Sequence, residues 1–343
     1  MNVIKTLCLA FLSANAVSIL DSVENIMSLT AGKGGLLSKN AVKAMDYFAL
    51  KSVSFSSSKV KSRVIPIRIN SLETVHFLDF EGSGSLPPII LIHGISSCAA
   101  DYYPIIRKFQ SECKRVIALD LPGHGLSSAH STMSLEELEN RMVEAVERCA
   151  EECQISKTEQ CIVLGNSLGG FVACRFTVKN PTLVCALALV SPAGAPLTPE
   201  ELIEMKKLFQ METLKDAATF VETVLGRPRF PLSLFGVRHA IGWFCRERAK
   251  QPSVLRILNE ATIKSRLRTH ELKKIRCPVL LIWGKKESVF SERHLKWFMN
   301  EIPGHLFNLF RPETIGHIPH LDAALVCGAV ASFCQLHIKS RKK

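Results

Sequence analysis

Nowhere in its main body does this 343-residue chain hold about eighteen consecutive charge-free apolar residues, which excludes a polytopic membrane protein. Aromatic residues are scarce, at 7%. No basic stripe interleaved with aromatics, no zinc-finger spacing and no RNA-recognition signature accompanies the net charge of +12. That combination argues against nucleic acid as a partner. Internal repeats are also missing. Gly32-Lys33-Gly34-Gly35 lacks the spacing and the Lys-Ser/Thr ending of a phosphate loop. Cys149 and Cys153 have no second ligand pair, so neither a metal nor any other cofactor is expected. With 47% hydrophobic residues the chain is neither disordered nor collagenous, and it buries one large core or two modest ones.

Charge is unevenly spread. Residues 1–63 carry 8 basic and 3 acidic side chains, and 197–270 carry 13 and 8. Lys339, Arg341, Lys342 and Lys343 end the chain, and the remainder is close to neutral. Basic patches on a neutral body suit peripheral contact with an anionic membrane, and suit plain solubility equally. The 12 cysteines fall on strand-like runs (Cys161, Cys185, Cys277) or on the apolar face of a helical pattern (Cys149, Cys153). So placed, they read as small buried hydrophobes of a reducing compartment. The N-terminus points elsewhere. Lys5 precedes the short apolar run Thr6–Leu12, Ala14-Asn15-Ala16 resembles a cleavage site, and 17–63 is rich in Ser and Lys. These features suit a secretory or organellar leader, or a flexible segment, over 1–63.

From Val64 the pattern becomes that of a folded domain. Val64–Ile69 and Val75–Phe80 alternate like half-buried strands around a turn at Asn70-Ser71. Continuous apolar runs follow at Ile89–Ile92, Val116–Leu119, Cys161–Leu164, Val184–Val190 and Val279–Trp283. Such runs suit strands covered on both faces of a parallel sheet. Between them lie helical patterns, as at Ser134–Cys153, where Ser134 and Glu137 form a capping box. Alternating strands and helices predict an α/β protein with a mostly parallel central sheet. The core occupies 64–196 and 271–338. A helical insertion over 197–270 is expected to act as a lid, and 339–343 is a basic tail.

The sharpest motif is Gly165-Asn166-Ser167-Leu168-Gly169, preceded by the run Cys161–Leu164 and followed by a helical pattern. A nucleophile on a tight strand-to-helix turn needs a strained backbone and small neighbours two residues to either side. Gly165 and Gly169 supply those, and Gly170 is expected to let the helix approach the sheet. The Leu168 amide, at the helix N-terminus, is aimed at an oxyanion formed by attack from Ser167. A serine needs a base, and the base needs an orienting acid; in this topology their order is serine, acid, histidine. Glu287 follows the strand Val279–Trp283. His317 follows a helix (Ser291–Glu301) and a strand-like run (His305–Phe310), and precedes a closing helix over Asp322–Leu336. Both therefore sit on loops at the edge of the sheet that also carries Ser167. Rival readings make His317 an ordinary loop histidine and Glu287 an exposed partner of Lys285 or Lys286. His320 is assigned a structural place beside the site.

From about Val64 to Leu336, about four-fifths of the chain, the sequence resembles the α/β-hydrolase fold superfamily. Ile92-His93-Gly94-Ile95 is similar to that family's His-Gly turn after the third strand. The resemblance implies that the Ile95 amide pairs with Leu168 as the oxyanion hole. Asp120-Leu121-Pro122-Gly123-His124-Gly125-Leu126-Ser127 resembles the loop after the fourth strand, in which Asp120 and His124 shape the pocket wall. Gly284–Glu287 and Gly316–Asp322 resemble the family's acid and histidine loops. Glu287 stands where the family usually has Asp; the usual alternative site, after Val190, offers only Ser191-Pro192-Ala193-Gly194 and no carboxylate.

Within the family, Val190–Gly194 followed by a helical insertion resembles the monoacylglycerol-lipase-like branch. Asn166 beside Ser167 also occurs in hydrolases of carbon–carbon bonds. The expected activity is serine-dependent hydrolysis of lipid-like carboxylic esters through an acyl-enzyme. The alternatives are a carbon–carbon bond hydrolase and a non-catalytic ligand-binding member. Phe220, Val224, Phe230, Phe235, Trp243 and Phe244 offer the insertion an apolar face for an acyl chain, or simply an anchor to the body. Arg227, Arg229, Arg238, Arg246 and Arg248 are placed to meet an anionic headgroup or to form a solvated face.

Overall fold

Apolar runs too short to be helices form the centre of an eight-stranded sheet of order β1-β2-β4-β3-β5-β6-β7-β8. The computed structural model that shows this describes residues 60–68, 72–128, 133–226, 245–319 and 322–339. Strands β3 (Ile89–Ile92), β5 (Cys161–Asn166), β6 (Val184–Val190) and β7 (Val279–Ile282) are buried along their whole length. That is the condition of parallel strands with a layer of side chains on each face. β4 (Arg115–Leu119) and β8 (Phe307–Phe310) extend the parallel run on either side, pairing with β3 and β7. β2 (Thr74–Glu81) joins antiparallel to β4, and β1 (Val60–Pro66) antiparallel to β2.

Two apolar layers sandwich this sheet. One holds α1 (Tyr103–Glu112) and α9 (Ala323–Lys339), where Ile105, Ile106 and Phe109 share a cluster with Val326, Val330 and Phe333. The other holds α2 (Leu135–Glu152), α3 (Leu168–Lys179) and α8 (Glu292–Glu301). Each fully buried large side chain in these layers contributes about 1.5–3 kcal/mol. Helix α2 starts as its sequence specifies: the Glu137 amide donates to Ser134 Oγ, and the Ser134 amide donates back to Glu137 at 2.8 Å.

Several boundaries differ from the sequence reading. The sheet begins at Val60, inside the segment assigned to the leader; the rest of that leader lies outside the described residues. β1 is an edge strand needing little apolar content, and Ser62 and Arg63 are held there by His76 and Glu152. It also ends at Pro66, short of Ile69, with one further main-chain bond from the Ile67 amide to the Glu73 carbonyl at 2.9 Å. The insertion between β6 and β7 contains α4 (Pro199–Phe209), α5 (Leu214–Leu225) and α6 (Pro252–Glu260). It rejoins the core before residue 270: Leu267 is buried in the main cluster and donates its amide to the Gly194 carbonyl at 2.9 Å. The short α7 (Thr269–Leu272) already belongs to the body, with Leu272 in the same cluster. At the far end, residues 304–306 form a 3₁₀ turn rather than strand, and α9 runs on to Lys339.

Candidate active site

β5 ends at Asn166 and α3 starts at Leu168, so Ser167 alone makes the turn. Its φ of 53° is a left-handed value that few side-chain-bearing residues adopt. The neighbouring glycines explain how the turn closes. A Cβ on Gly165 would lie 2.3 Å from the Gly169 carbonyl oxygen, and one on Gly169 would lie 2.2 Å from the Ile92 carbonyl oxygen. Gly170 faces two neighbours: its missing side chain admits Pro192, on the loop after β6, while the Gly165 carbonyl oxygen of β5 lies 3.4 Å from where a Cβ would stand.

Glu287 and His317 meet. The carboxylate accepts from His317 Nδ1, at 2.9 Å to Oε2 and 3.1 Å to Oε1. Both side chains are withdrawn from solvent, 1% and 7% exposed. The reading of Glu287 as a surface partner of a lysine is thereby excluded; Lys285 pairs with Glu313 instead. Glu287 Oε1 also accepts from the Val289 and Phe290 amides, at 2.7 and 3.0 Å. Burial on its own would raise the pKa of Glu287. The facing His317 and these hydrogen bonds outweigh burial and hold it below the ordinary carboxylate value. An ionised carboxylate only accepts, so Nδ1 of His317 carries a proton, and in the neutral ring Nε2 is then the acceptor. The Phe290 ring meets the imidazole edge-on at 5.3 Å between centroids.

Ser167, His317, Ile95 and Leu168 line one cavity of about 110 Å³. Among the described residues the Ser167 hydroxyl makes no hydrogen bond, and a nucleophile–base bond of this kind is commonly long before substrate aligns it. The insertion roofs the cavity with Leu197, Met205, Phe209, Val224, Ile257 and Leu258.

The Ile95 amide is aimed by its neighbours. His93 Nδ1 donates to the Gly94 carbonyl at 2.7 Å, while the Leu121 amide donates to His93 Nε2 at 2.9 Å. With the Gly94 carbonyl so engaged, the amide across that trans peptide points the opposite way. Among the described residues neither the Ile95 nor the Leu168 amide meets a protein acceptor. Gly94 itself comes within 3.3 Å of Ser167 Cβ, measured from where its own Cβ would stand.

Asp120 and His124 lie behind this wall. Asp120 accepts from the His76 ring at 2.7 Å and from the Ala99 and Leu126 amides at 2.7 and 2.9 Å. Burial works to raise its pKa, but these partners pull it down to about 2. His124 is fully buried, its Nδ1 donating to the Pro122 carbonyl at 3.2 Å. Asn166 turns its amide into the sheet edge, donating to the Val190 and His317 carbonyls. His320 lies outside the described residues.

Three contacts were missed in the sequence reading. The Val224 carbonyl accepts the His317 amide at 2.9 Å, so helix α5 supports the histidine loop directly. Gly226, in the left-handed conformation that ends α5, comes so near that a Cβ would stand 2.1 Å from the Lys286 carbonyl oxygen. A glycine just past a helical pattern is the one local sign of that contact. Arg248, proposed for a headgroup, is instead buried against Asp101 of the loop after β3. Arg246 lies against Glu247. Phe220 and Val224 are buried, and Arg227–Phe244 lie outside the described residues.

Residues 87–233 match the family model for the alpha/beta hydrolase fold. The chain is 34% identical over 139 residues to the 1-acylglycerol-3-phosphate O-acyltransferase ABHD5 of Rattus norvegicus, covering 39% of this chain and 38% of that relative. It is 28% identical over 238 residues to the monoacylglycerol lipase ABHD6 of Mus musculus, covering 61% and 64%. The matches thus span less than two thirds of these relatives' length. The crystal structure of a membrane phospholipase A, described as a bacterial virulence factor, superposes with a TM-score of 0.66 at 21% identity, covering 95% of this chain and 99% of that one. Sheet order, the Ser167 turn and the family match agree: this chain has the α/β-hydrolase fold.

Proposed function

We propose that the protein is a serine hydrolase of lipid-like carboxylic esters, resembling the monoacylglycerol-lipase-like branch. The observation that carries this reading is the buried Glu287–His317 hydrogen bond beside the apolar cavity that Ser167 lines. Glu287 fixes the imidazole so that Nε2 takes the Ser167 proton as Oγ attacks the ester carbonyl. The carbonyl oxygen becomes an oxyanion held by the Ile95 and Leu168 amides, each donor contributing about 2.7–4 kcal/mol. His317 then passes the proton to the departing alcohol. Water, activated by the same imidazole, releases the acid from the acyl-enzyme. The apolar roof suits an acyl chain, and the basic leader suits peripheral contact with an anionic lipid surface.

A fluorophosphonate probe tests the machinery before any substrate is known. Wild-type protein is expected to be labelled, and Ser167→Ala and His317→Ala are expected not to be. Labelling that survives Ser167→Ala overturns the assignment; a folded wild type that resists the probe supports a non-catalytic binding role. A panel of p-nitrophenyl esters then measures turnover. Similarity to an acyltransferase favours a second fate for the same acyl-enzyme, transfer to an alcohol instead of water. Product analysis with and without an added alcohol acceptor separates the two.

A further inference from the structure

One wall of the cavity is a face of α3. Leu168, Phe171 and Arg175 follow at three- and four-residue steps, and the Arg175 guanidinium lies over the Phe171 ring, 4.4 Å from its centroid. At a rise of about 1.5 Å per residue, Arg175 stands about 12 Å along the helix from Ser167. There its Nη1 donates to Glu139 Oε2 at 2.8 Å, and Glu139, projecting from α2, lines the cavity together with Thr262 and Ser265. Most of the remaining lining is apolar.

These three side chains have bonding capacity left over. A carboxylate accepts at several lone pairs, and Arg175 takes Oε2. Burial pulls the pKa of Glu139 up, and Arg175 does not fully offset it. Ser265 Oγ accepts from the Thr262 amide at 3.1 Å, and Thr262 Oγ1 from the Lys264 amide at 3.2 Å. Each hydroxyl therefore keeps its own proton to donate. An acceptor and two donors line an otherwise apolar cavity, with Glu139 and Ser265 half-buried there and Thr262 exposed.

We propose that Glu139, Thr262 and Ser265 form a subsite for a hydroxyl-bearing end of the substrate, remote from the carbonyl that Ser167 attacks. The inference rests on the ester-hydrolase reading and sharpens it to esters that carry a free alcohol. That alcohol has two possible sources: a polyol leaving group, or a hydroxyl on the acyl chain. A site built to bond a hydroxyl discriminates against the analogue lacking it, because its own polar groups are then left without partners.

The experiment uses three esters of one chain length: methyl decanoate, the glycerol monoester of decanoic acid, and the methyl ester of the terminally hydroxylated acid. The full-length protein is compared with Glu139→Leu, Glu139→Gln (which keeps a hydrogen bond to Arg175) and Ser265→Ala. For Glu139→Leu, kcat/KM for one hydroxylated ester is expected to fall at least tenfold further than for methyl decanoate. The arm that falls identifies the source of the hydroxyl. Ser265→Ala, on a surface turn, is expected to move the same ratio about threefold, in line with one lost hydrogen bond. If kcat/KM for all three esters falls in proportion, or does not fall, the subsite is overturned and Glu139 only closes the cavity through Arg175. Wild-type protein that hydrolyses none of the three overturns the ester-hydrolase reading itself.

Discussion

The Asn166 side chain donates to the main-chain carbonyl of His317 at 2.9 Å, so the residue before Ser167 fixes the loop that carries the imidazole. The same amide nitrogen reaches the Val190 carbonyl at 2.9 Å, tying the ends of β5 and β6 to that loop. Asn166→Ala takes the donor from the His317 carbonyl, at about 1–3 kcal/mol for a buried group, while the Val190 carbonyl still accepts from the Ser167 amide at 3.1 Å. Turnover of a good ester is expected to fall about tenfold, in step with a looser imidazole. The melting temperature is expected to drop by about 2–4 °C per kcal/mol lost. Wild-type kcat in Asn166→Ala would remove the positioning role.

Glu287 holds His317 with both carboxylate oxygens, and also accepts two main-chain amides. Glu287→Gln keeps the size but removes the charge, and its amide group is free to turn an N–H toward the ring. By comparison with other orienting acids, kcat is expected to fall about 10⁴-fold with little change in KM. Glu287→Asp keeps the charge on a shorter arm, so a smaller loss is expected. Equal kcat for the Gln variant and the wild type would show that the acid is elsewhere.

Legibility in the sequence followed how local each interaction is. Val184–Val190 is a strand over the range its apolar run specifies, because a strand buried on both faces leaves no room for polar residues. Ser167 was readable for a similar reason: its strained turn demands glycines at fixed offsets. β1 was not readable at its start. An edge strand is held by main-chain pairing, so Lys61, Ser62 and Arg63 leave no apolar trace. Glu139 shares a helical pattern with Leu135 and Leu138, and nothing within α2 shows that it lines a cavity. Arg248 and Asp101 are 147 residues apart in the chain, and no spacing rule joins them.

The Arg248–Asp101 pair makes a separable prediction. Asp101 also accepts from Ser97 Oγ at 2.8 Å and from the Cys98 amide at 3.2 Å, so the insertion is bonded to the loop bearing Ile95. The pair is largely out of water, with 6% and 14% of its side chains exposed. Arg248→Met takes the guanidinium away from a largely buried carboxylate and is expected to cost about 3–5 kcal/mol. Adding Asp101→Asn removes the carboxylate charge as well, so the double variant is expected to recover more than half of the lost stability. Denaturant unfolding of the two single variants and the double variant measures the coupling. Strictly additive losses would show that the two side chains do not act as a pair.

His93 and His124 give the fold a defined acid limit. Burial lowers both imidazoles, and the charge that His93 would carry lowers His124 further, to about 3 from an ordinary 6.5. The unfolded chain therefore binds protons below pH 6.5 that the folded chain refuses. Stability is full above that pH and falls as the pH drops: for His124 the loss runs toward about 3 at about 1.4 kcal/mol per pH unit, and His93 adds to it in the same direction. Asp120 acts in a different window. Its pKa is lowered from 3.8 to about 2, so its contribution is present above its unfolded value and is lost only as the pH falls through about 2. Between pH 6.5 and 4 the histidines thus dominate among these three groups. His124→Gln keeps a side-chain donor for the Pro122 carbonyl while removing one titrating ring, and is expected to flatten the stability slope by about 1.4 kcal/mol per pH unit. Urea unfolding at several pH values across that interval gives the slope, and an unchanged slope in the variant would show that His124 is protonated in the folded state.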